Sequence, residues 1–273
     1  MIKKNLKILK NRIFRKYYEK LTLHLCKKKE FFHGNLSFKI DLNFFFNNKN
    51  TEKSFFLDEL KKKEKKLEIP EDTGGVNPGD QRAIYYLIKG LNPKKILEIG
   101  THIGSSTVSI ALAMSNNLNE NYLKTVDIRD VNDETLKPWV EHMSKNSPVN
   151  NLKLLNLDKF VEFAVSDSIN FLKNENQKYD FIFLDGSHKA DYVYNEISLS
   201  LKILNTNGII LLHDYFPDGK KIWENKEPIF GPYEGVRRVI KENPEINIES
   251  FLNLPWETKL KSNASSLAVL YQN

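Results

Sequence analysis

The chain of 273 residues holds one cysteine, Cys26, so it cannot form an internal disulfide and suits a reducing cytosol. It lacks any apolar run near the roughly 18 residues of a membrane-spanning helix. Met1-Ile2-Lys3-Lys4 is basic, but no apolar region or small-residue cleavage site follows, so no signal peptide is expected. Arginine is scarce, 6 residues against 35 lysines, a bias that lowers the weight of any single lysine. No internal repeat is visible. What is present is 40% hydrophobic and 11% aromatic residues, enough for a real core. The net charge of +6 is unevenly spread: residues 1–70 carry 19 Lys and Arg against 8 Asp and Glu, the remainder 22 against 27.

That division suggests a basic, aromatic-rich N-terminal extension over 1–70 and a main domain over 71–273. Residues 1–30 read as a basic helix, with Ile2, Leu6, Leu9, Ile13, Tyr17 and Leu21 at spacings of three and four. Such a helix either lies on anionic lipid or a partner, or packs on its own domain with a solvated lysine face. Residues 31–57, rich in phenylalanine, are too apolar for a free linker.

Gly74-Gly75 and Pro78-Gly79 bound a turn, and Asp80 is a candidate cap for a helix ending at Gly90. Strand-like and helix-like stretches then alternate: Lys95–Ile99, Thr107–Ser115, Tyr122–Ile128, a helix around Glu134–Ser144, Val161–Val165, Ser168–Lys173, Asp180–Leu184, Ala190–Leu204 and Gly208–Leu212. A helix near Gly235–Glu242 and strands at Ile246–Leu252 and Ser266–Tyr271 follow. This rhythm predicts a parallel sheet covered on both faces.

The most informative stretch is Ile96-Leu97-Glu98-Ile99-Gly100-Thr101-His102-Ile103-Gly104-Ser105-Ser106-Thr107, an apolar strand that turns through two glycines into a helix. A later apolar run ends in Asp127, suited to a ribose diol. The glycine spacing is G-x-x-x-G, with His102 where a dinucleotide fingerprint has its middle glycine. An imidazole there crowds a pyrophosphate, which argues against NAD and FAD. A Rossmann-like domain for another nucleotide stays open on these residues alone.

Joined to Phe181-Ile182-Phe183-Leu184-Asp185-Gly186-Ser187-His188, these motifs resemble class I S-adenosylmethionine-dependent methyltransferases, nearest the catechol O-methyltransferase type and its bacterial relatives. The resemblance covers about residues 74–273 and implies a Rossmann-like three-layer αβα sandwich. Its seven-stranded sheet would be mostly parallel with an antiparallel last strand, preceded here by the N-terminal helical extension. By that likeness Glu98, Gly100, Thr101 and Ser106 line the methionine end of the cofactor, Gly104 belongs to the cofactor loop and lets the next helix pack close, and Asp127 accepts from both ribose hydroxyls. Asp167 would face the adenine amino group with Ser168 beside it; Asp167 equally reads as the cap of the helix that follows.

Two buried strands deliver Asp185 and, through His213-Asp214-Tyr215, Asp214 to one edge. Two converging carboxylates could hold Mg²⁺ or another divalent cation that lowers the pKa of a substrate hydroxyl. In the catechol-type relatives Asp185 and Asp214 match two metal ligands, while the third is Tyr215 here; a related bacterial pattern has an acid where His213 stands. His188 falls where those enzymes carry a lysine general base, and His213 is the second candidate base. Asp185 belongs by likeness to both the cofactor and the catalytic site. Residues 216–233 form a long aromatic segment, either a substrate lid or a packed loop.

The expected activity is methyl transfer to a hydroxyl of a small molecule such as a sugar or polyphenol, in a cytoplasmic or membrane-peripheral enzyme that could form a homodimer. A hydroxylase-like member of the same fold and a nonenzymatic cofactor-binding protein are the alternatives. Nucleic acid is not an expected partner, because the main domain is net acidic and no Asn/Asp-Pro-Pro-Tyr/Phe motif occurs.

Overall fold

A computed structural model describes residues 2–71, 73, 75–115, 121–224, 226–259 and 261–273, with side chains from residue 14 onward. Seven strands form one sheet: β1 (Lys95–Ile99), β2 (Tyr122–Asp127), β3 (Val161–Val165), β4 (Tyr179–Leu184), β5 (Leu204–Leu212), β6 (Ile246–Ser250) and β7 (Ala268–Gln272). Their order is β3-β2-β1-β4-β5-β7-β6. The first five run parallel, and β7 lies antiparallel to both its neighbours, as expected of the last strand.

Helices cover both faces because the strands are apolar on both. Ile96, Phe181, Phe183, Ile209 and Leu211 join one buried cluster with α4 (Pro78–Leu91) and α5 (Ser105–Met114). Leu97, Ile99, Ile182, Leu184, Ile210 and Leu212 join the other with α7 (Ser168–Asn174), α8 (Ala190–Ile203) and α9 (Phe230–Glu242). The period-two alternation of one strand thus feeds two cores. Each fully buried Leu, Ile or Phe contributes about 1.5–3 kcal/mol.

The chain leaves β1 for β2 and β3 on one side, then returns to β4 on the other side of β1. This reversal opens a crevice at the carboxyl ends of β1 and β4, where open α/β sheets bind ligands.

The N-terminal residues are stitched into this body. Helix α1 (Ile2–Leu25) packs against α8 and α9, and α2 (Leu42–Phe46) and α3 (Lys49–Glu64) each pack against α4. Ser37 donates its N–H to the Gly208 carbonyl of β5 and accepts one from Gln272 of β7, each at 2.9 Å. Phe46 stacks edge-on against Phe251 and Trp256. No helix among the described residues is long and apolar enough to cross a membrane.

Some local expectations change. The cap of α4 is Asn77, which accepts from the Asp80 N–H, with Pro78 at the first helical position; Asp80 stands one turn inside, fully buried. Around Glu134–Ser144 only a 3₁₀ turn forms, Pro138–His142. Lys137, just before Pro138, lies in the left-handed region at φ +47°, so no right-handed helix runs through it. Helix α6 (Pro148–Leu154), capped by Ser147, was not expected. Gly74, placed by the sequence in the turn before α4, and the side chains of Ile2, Leu6, Leu9 and Ile13 lie outside the described residues.

Candidate active site

Gly100 follows β1 with φ +102°. A Cβ there would stand 2.1 Å from the Asp185 carbonyl oxygen, so glycine alone lets the ends of β1 and β4 come this close. Gly104, also at positive φ, sits against Pro148 and opens α5.

Between these glycines lies a buried hydroxyl network. Glu98 Oε2 accepts from Thr107 Oγ1 and Thr125 Oγ1, both at 2.6 Å. Because Thr125 spends its one hydrogen on Glu98, Thr101 must donate to Thr125 across their 2.6 Å contact. Burial pushes the Glu98 carboxyl up to about 7, hydrogen bonds from Ser106, Thr107 and Thr125 offsetting part of the effect. Glu98, Thr101, Gly104 and Ser106 therefore build the wall behind the crevice and do not line it.

The crevice itself is a cavity of about 420 Å³ lined by Gly100, His102, Asp127, Asp167, Ser168 and Asp185, among others. At the end of β2, Asp127 accepts backbone N–H bonds from His102 (2.9 Å) and Arg129 (3.0 Å), which aim its carboxylate into the cavity mouth. Asp167 caps α7 through Asn170 N–H and accepts from Tyr192 Oη, so capping and lining coexist. Ser168 donates to buried Glu196 at 2.5 Å, and burial lifts the Glu196 carboxyl to about 7. His102, in the left-handed region, packs on His142 with ring centroids 4.2 Å apart and leaves buried Nδ1 without a protein partner.

On the β4–β5 side stands a cluster of charge. Leu184 and Leu212 are register partners, so Asp185 and the His213-Asp214 pair emerge side by side. His213 Nδ1 lies 3.0 Å from Asp185 Oδ1, and Nε2 lies 3.3 Å from Asp80 Oδ2. Burial alone would lower its pKa, but the charges of Asp185 and Asp214, with hydrogen bonds to Asp185 and Asp80, raise it well above the ordinary value. His213 is thus an imidazolium donating from both ring nitrogens. Half-exposed His188 contacts Asp214 Oδ2 through Nε2 at 2.9 Å, and this hydrogen bond raises its pKa against the cost of burial. Burial of Asp214 disfavours its charge, yet the His213 charge and the His188 bond hold it below the usual carboxylate range.

The structure therefore brings Asp185, His188, His213 and Asp214 together beside Gly100, Asp127, Asp167 and Ser168. It adds Asp80, 133 residues from His213 in sequence, and Glu196. Nothing in the local spacing flags either; Asp80 reads as a cap and Glu196 as the polar face of a helix. Within residues 216–233, Phe216 packs against Trp223 and Gly219 against Phe230, Gly231 sits against the His188 backbone, and none of those described lines the cavity.

A doubly wound sheet with a polar crevice at its switch point and no pyrophosphate-type glycine turn is a Rossmann-like domain. Residues 97–215 match the family model described as a methyltransferase domain, and the likeness to class I S-adenosylmethionine-dependent methyltransferases is borne out. The chain is 30% identical over 139 residues to "Probable caffeoyl-CoA O-methyltransferase 1" of Dictyostelium discoideum, covering 49% of this chain and 53% of that protein. It spans about half the length of the curated relatives it matches. Its fold is similar to the O-methyltransferase TomG of Streptomyces achromogenes, solved with S-adenosylmethionine (TM-score 0.54, 16% identity, covering 83% of this chain and 91% of that one). The O-methyltransferase of Bacillus cereus, solved with S-adenosylhomocysteine, is similar to the same degree (TM-score 0.54, 17% identity, 83% and 92%).

Proposed function

We propose that the chain transfers a methyl group from S-adenosylmethionine to a hydroxyl of a small molecule. One juxtaposition carries this reading: a carboxylate presented for a diol, Asp127, shares a cavity with the proton-handling cluster at Asp185 and His188. The cavity fits the cofactor chemically. Asp127 keeps lone pairs for ribose hydroxyls, Asp167 and Ser168 face the base end, Gly100 and Gly186 line the cavity with backbone atoms, and the unpartnered His102 Nδ1 awaits a polar contact. When bound, the cofactor supplies an electrophilic methyl on a sulfonium.

The chain's own part is to position and deprotonate the acceptor. His213, with both nitrogens engaged and its proton held, has no lone pair to offer; it keeps Asp185 in place. His188 stands at the cavity rim, made more basic by Asp214, and takes the acceptor proton. Activity accordingly rises with pH as His188 loses its proton, with a midpoint above the ordinary imidazole range.

A second reading rests on the ligand atoms of Asp185, His188 and Asp214, which lie within 4.8 Å of one another. Two carboxylates and an imidazole suit Mn²⁺, Fe²⁺ or Zn²⁺ better than the Mg²⁺ expected from oxygen ligands alone. A cation there would lower the pKa of the acceptor hydroxyl.

Thermal shift with S-adenosylmethionine and S-adenosylhomocysteine tests the cofactor, and a radiolabelled-methyl screen of sugars and polyphenols tests the transfer. Both cofactors should raise Tm by several degrees at about a hundredfold excess over Kd, and Asp185→Asn should cut transfer by about a hundredfold or more. No stabilisation by either cofactor would end the proposal. Full activity in EDTA would assign the proton to His188 unaided; restoration by Mn²⁺ but not Mg²⁺ would favour the metal.

A further inference from the structure

Helix α1 is docked the wrong way round for a helix that merely completes a core. The face against the body is polar: Glu19 accepts the Ala190 N–H at 2.7 Å, Lys20 pairs with Glu234, and Lys16 lies over the Phe230 ring. Arg238 donates to the carbonyls of Leu23 and Cys26, and Leu23 is the buried apolar residue of this face. Phe14, Tyr17, Tyr18, Leu21 and Leu25 recur at helical spacing on the opposite side and stand in solvent, Phe14 at 68%, Tyr17 at 65% and Leu25 at 75% exposure. At 100° per residue these five span one stripe about 100° wide, centred opposite Glu19, Leu23 and Cys26. A helix that only needed packing would have turned this stripe inward.

The charge around the stripe selects what covers it. Residues 1–30 carry 11 Lys and Arg against two acids, Glu19 and Glu30; Glu19 is spent inward on Ala190, as Lys20 is on Glu234 and Lys16 on Phe230, which leaves nine cations against one acid. Aromatic and aliphatic side chains on one face, a segment of strong net positive charge, and a polar attachment behind fit a surface that is apolar beneath and anionic above. We infer that the outward face of α1 docks the protein on an anionic bilayer, the helix lying in the interface plane. The inference stands apart from the methyl-transfer reading, since it uses none of the cavity residues.

Co-sedimentation of the full chain with vesicles of neutral lipid alone, and of neutral lipid with 30% anionic phospholipid, tests this. Pelleting with the anionic vesicles, loss of at least about tenfold in partitioning in 0.5 M salt, and a similar loss in F14E/L21E are expected. Both substituted side chains are solvent-exposed, so the variant should keep the wild-type Tm, which is measured alongside. Failure to pellet with anionic vesicles would overturn the inference, as would equal binding to neutral ones. Sedimentation velocity provides the remaining arm: a lipid-free dimer broken by F14E/L21E would show that a second copy covers the stripe, and would overturn it too.

Discussion

Replacing Glu98 by Gln separates the cost of a buried charge from the benefit of its hydrogen bonds. The carboxyl is fully buried, with threonine hydroxyls donating to Oε2, and burial raises its pKa from 4.5 to about 7. The folded state therefore holds a proton that the unfolded chain releases between these values. The sign follows from linkage: the folded state binds more protons from about pH 4.5 to 7, so stability falls as pH rises through that window. At pH 8 the loss is about 3 kcal/mol, and at pH 5 about 1 kcal/mol. The amide oxygen of Gln keeps both threonine bonds and cannot ionise. Glu98→Gln should thus gain about 2 kcal/mol over wild type between pH 5 and pH 8, a Tm difference widening by about 5 °C. Calorimetry or urea melts of both proteins at the two pH values read this directly. Curves that stay parallel across the window would refute the reasoning, because Glu98 would then titrate alike in both states.

Gly100→Ala should cost about 3 kcal/mol or more, since its Cβ overlaps the Asp185 backbone at a φ that L-residues avoid; a urea midpoint within error of wild type would contradict this. His213→Ala should cost about 3–5 kcal/mol at pH 8 by leaving Asp80 and Asp185 facing one another without a cation. Equal urea midpoints for variant and wild type at that pH would contradict this.

What was legible in the sequence is what strands write at their ends. Five apolar runs closing on Gly100, Asp127, Ser166-Asp167, Asp185 and His213-Asp214 announce a parallel sheet and its active edge, because a polar residue after a buried strand must meet solvent or a ligand. The pairing of β4 with β5, and so of Asp185 with Asp214, followed from the same rhythm. The Asp80–His213 contact did not, since it joins a helix start to a strand end through space and leaves no periodic trace. Nor did the orientation of α1: Tyr17 and Leu21 make the same stripe whichever way the helix is turned, and only the partners of Glu19 and Arg238 reveal which side is held. The missing helix at Glu134–Ser144 shows the left-handed backbone of Lys137 interrupting a run of fair helix formers.

The seat of Ser37 has a consequence for synthesis. Its carbonyl pairs with β7 and its N–H with β5, so a segment made early joins two strands made late. On a growing chain it must wait, unpaired, while the whole parallel half of the sheet is translated and folds. The last pairing depends on β7, near the far end of the sequence, and such long-range closure is slow. A nascent chain arrested after β5 would hold every residue that lines the crevice with its sheet edge open, and that edge is where mispairing would begin.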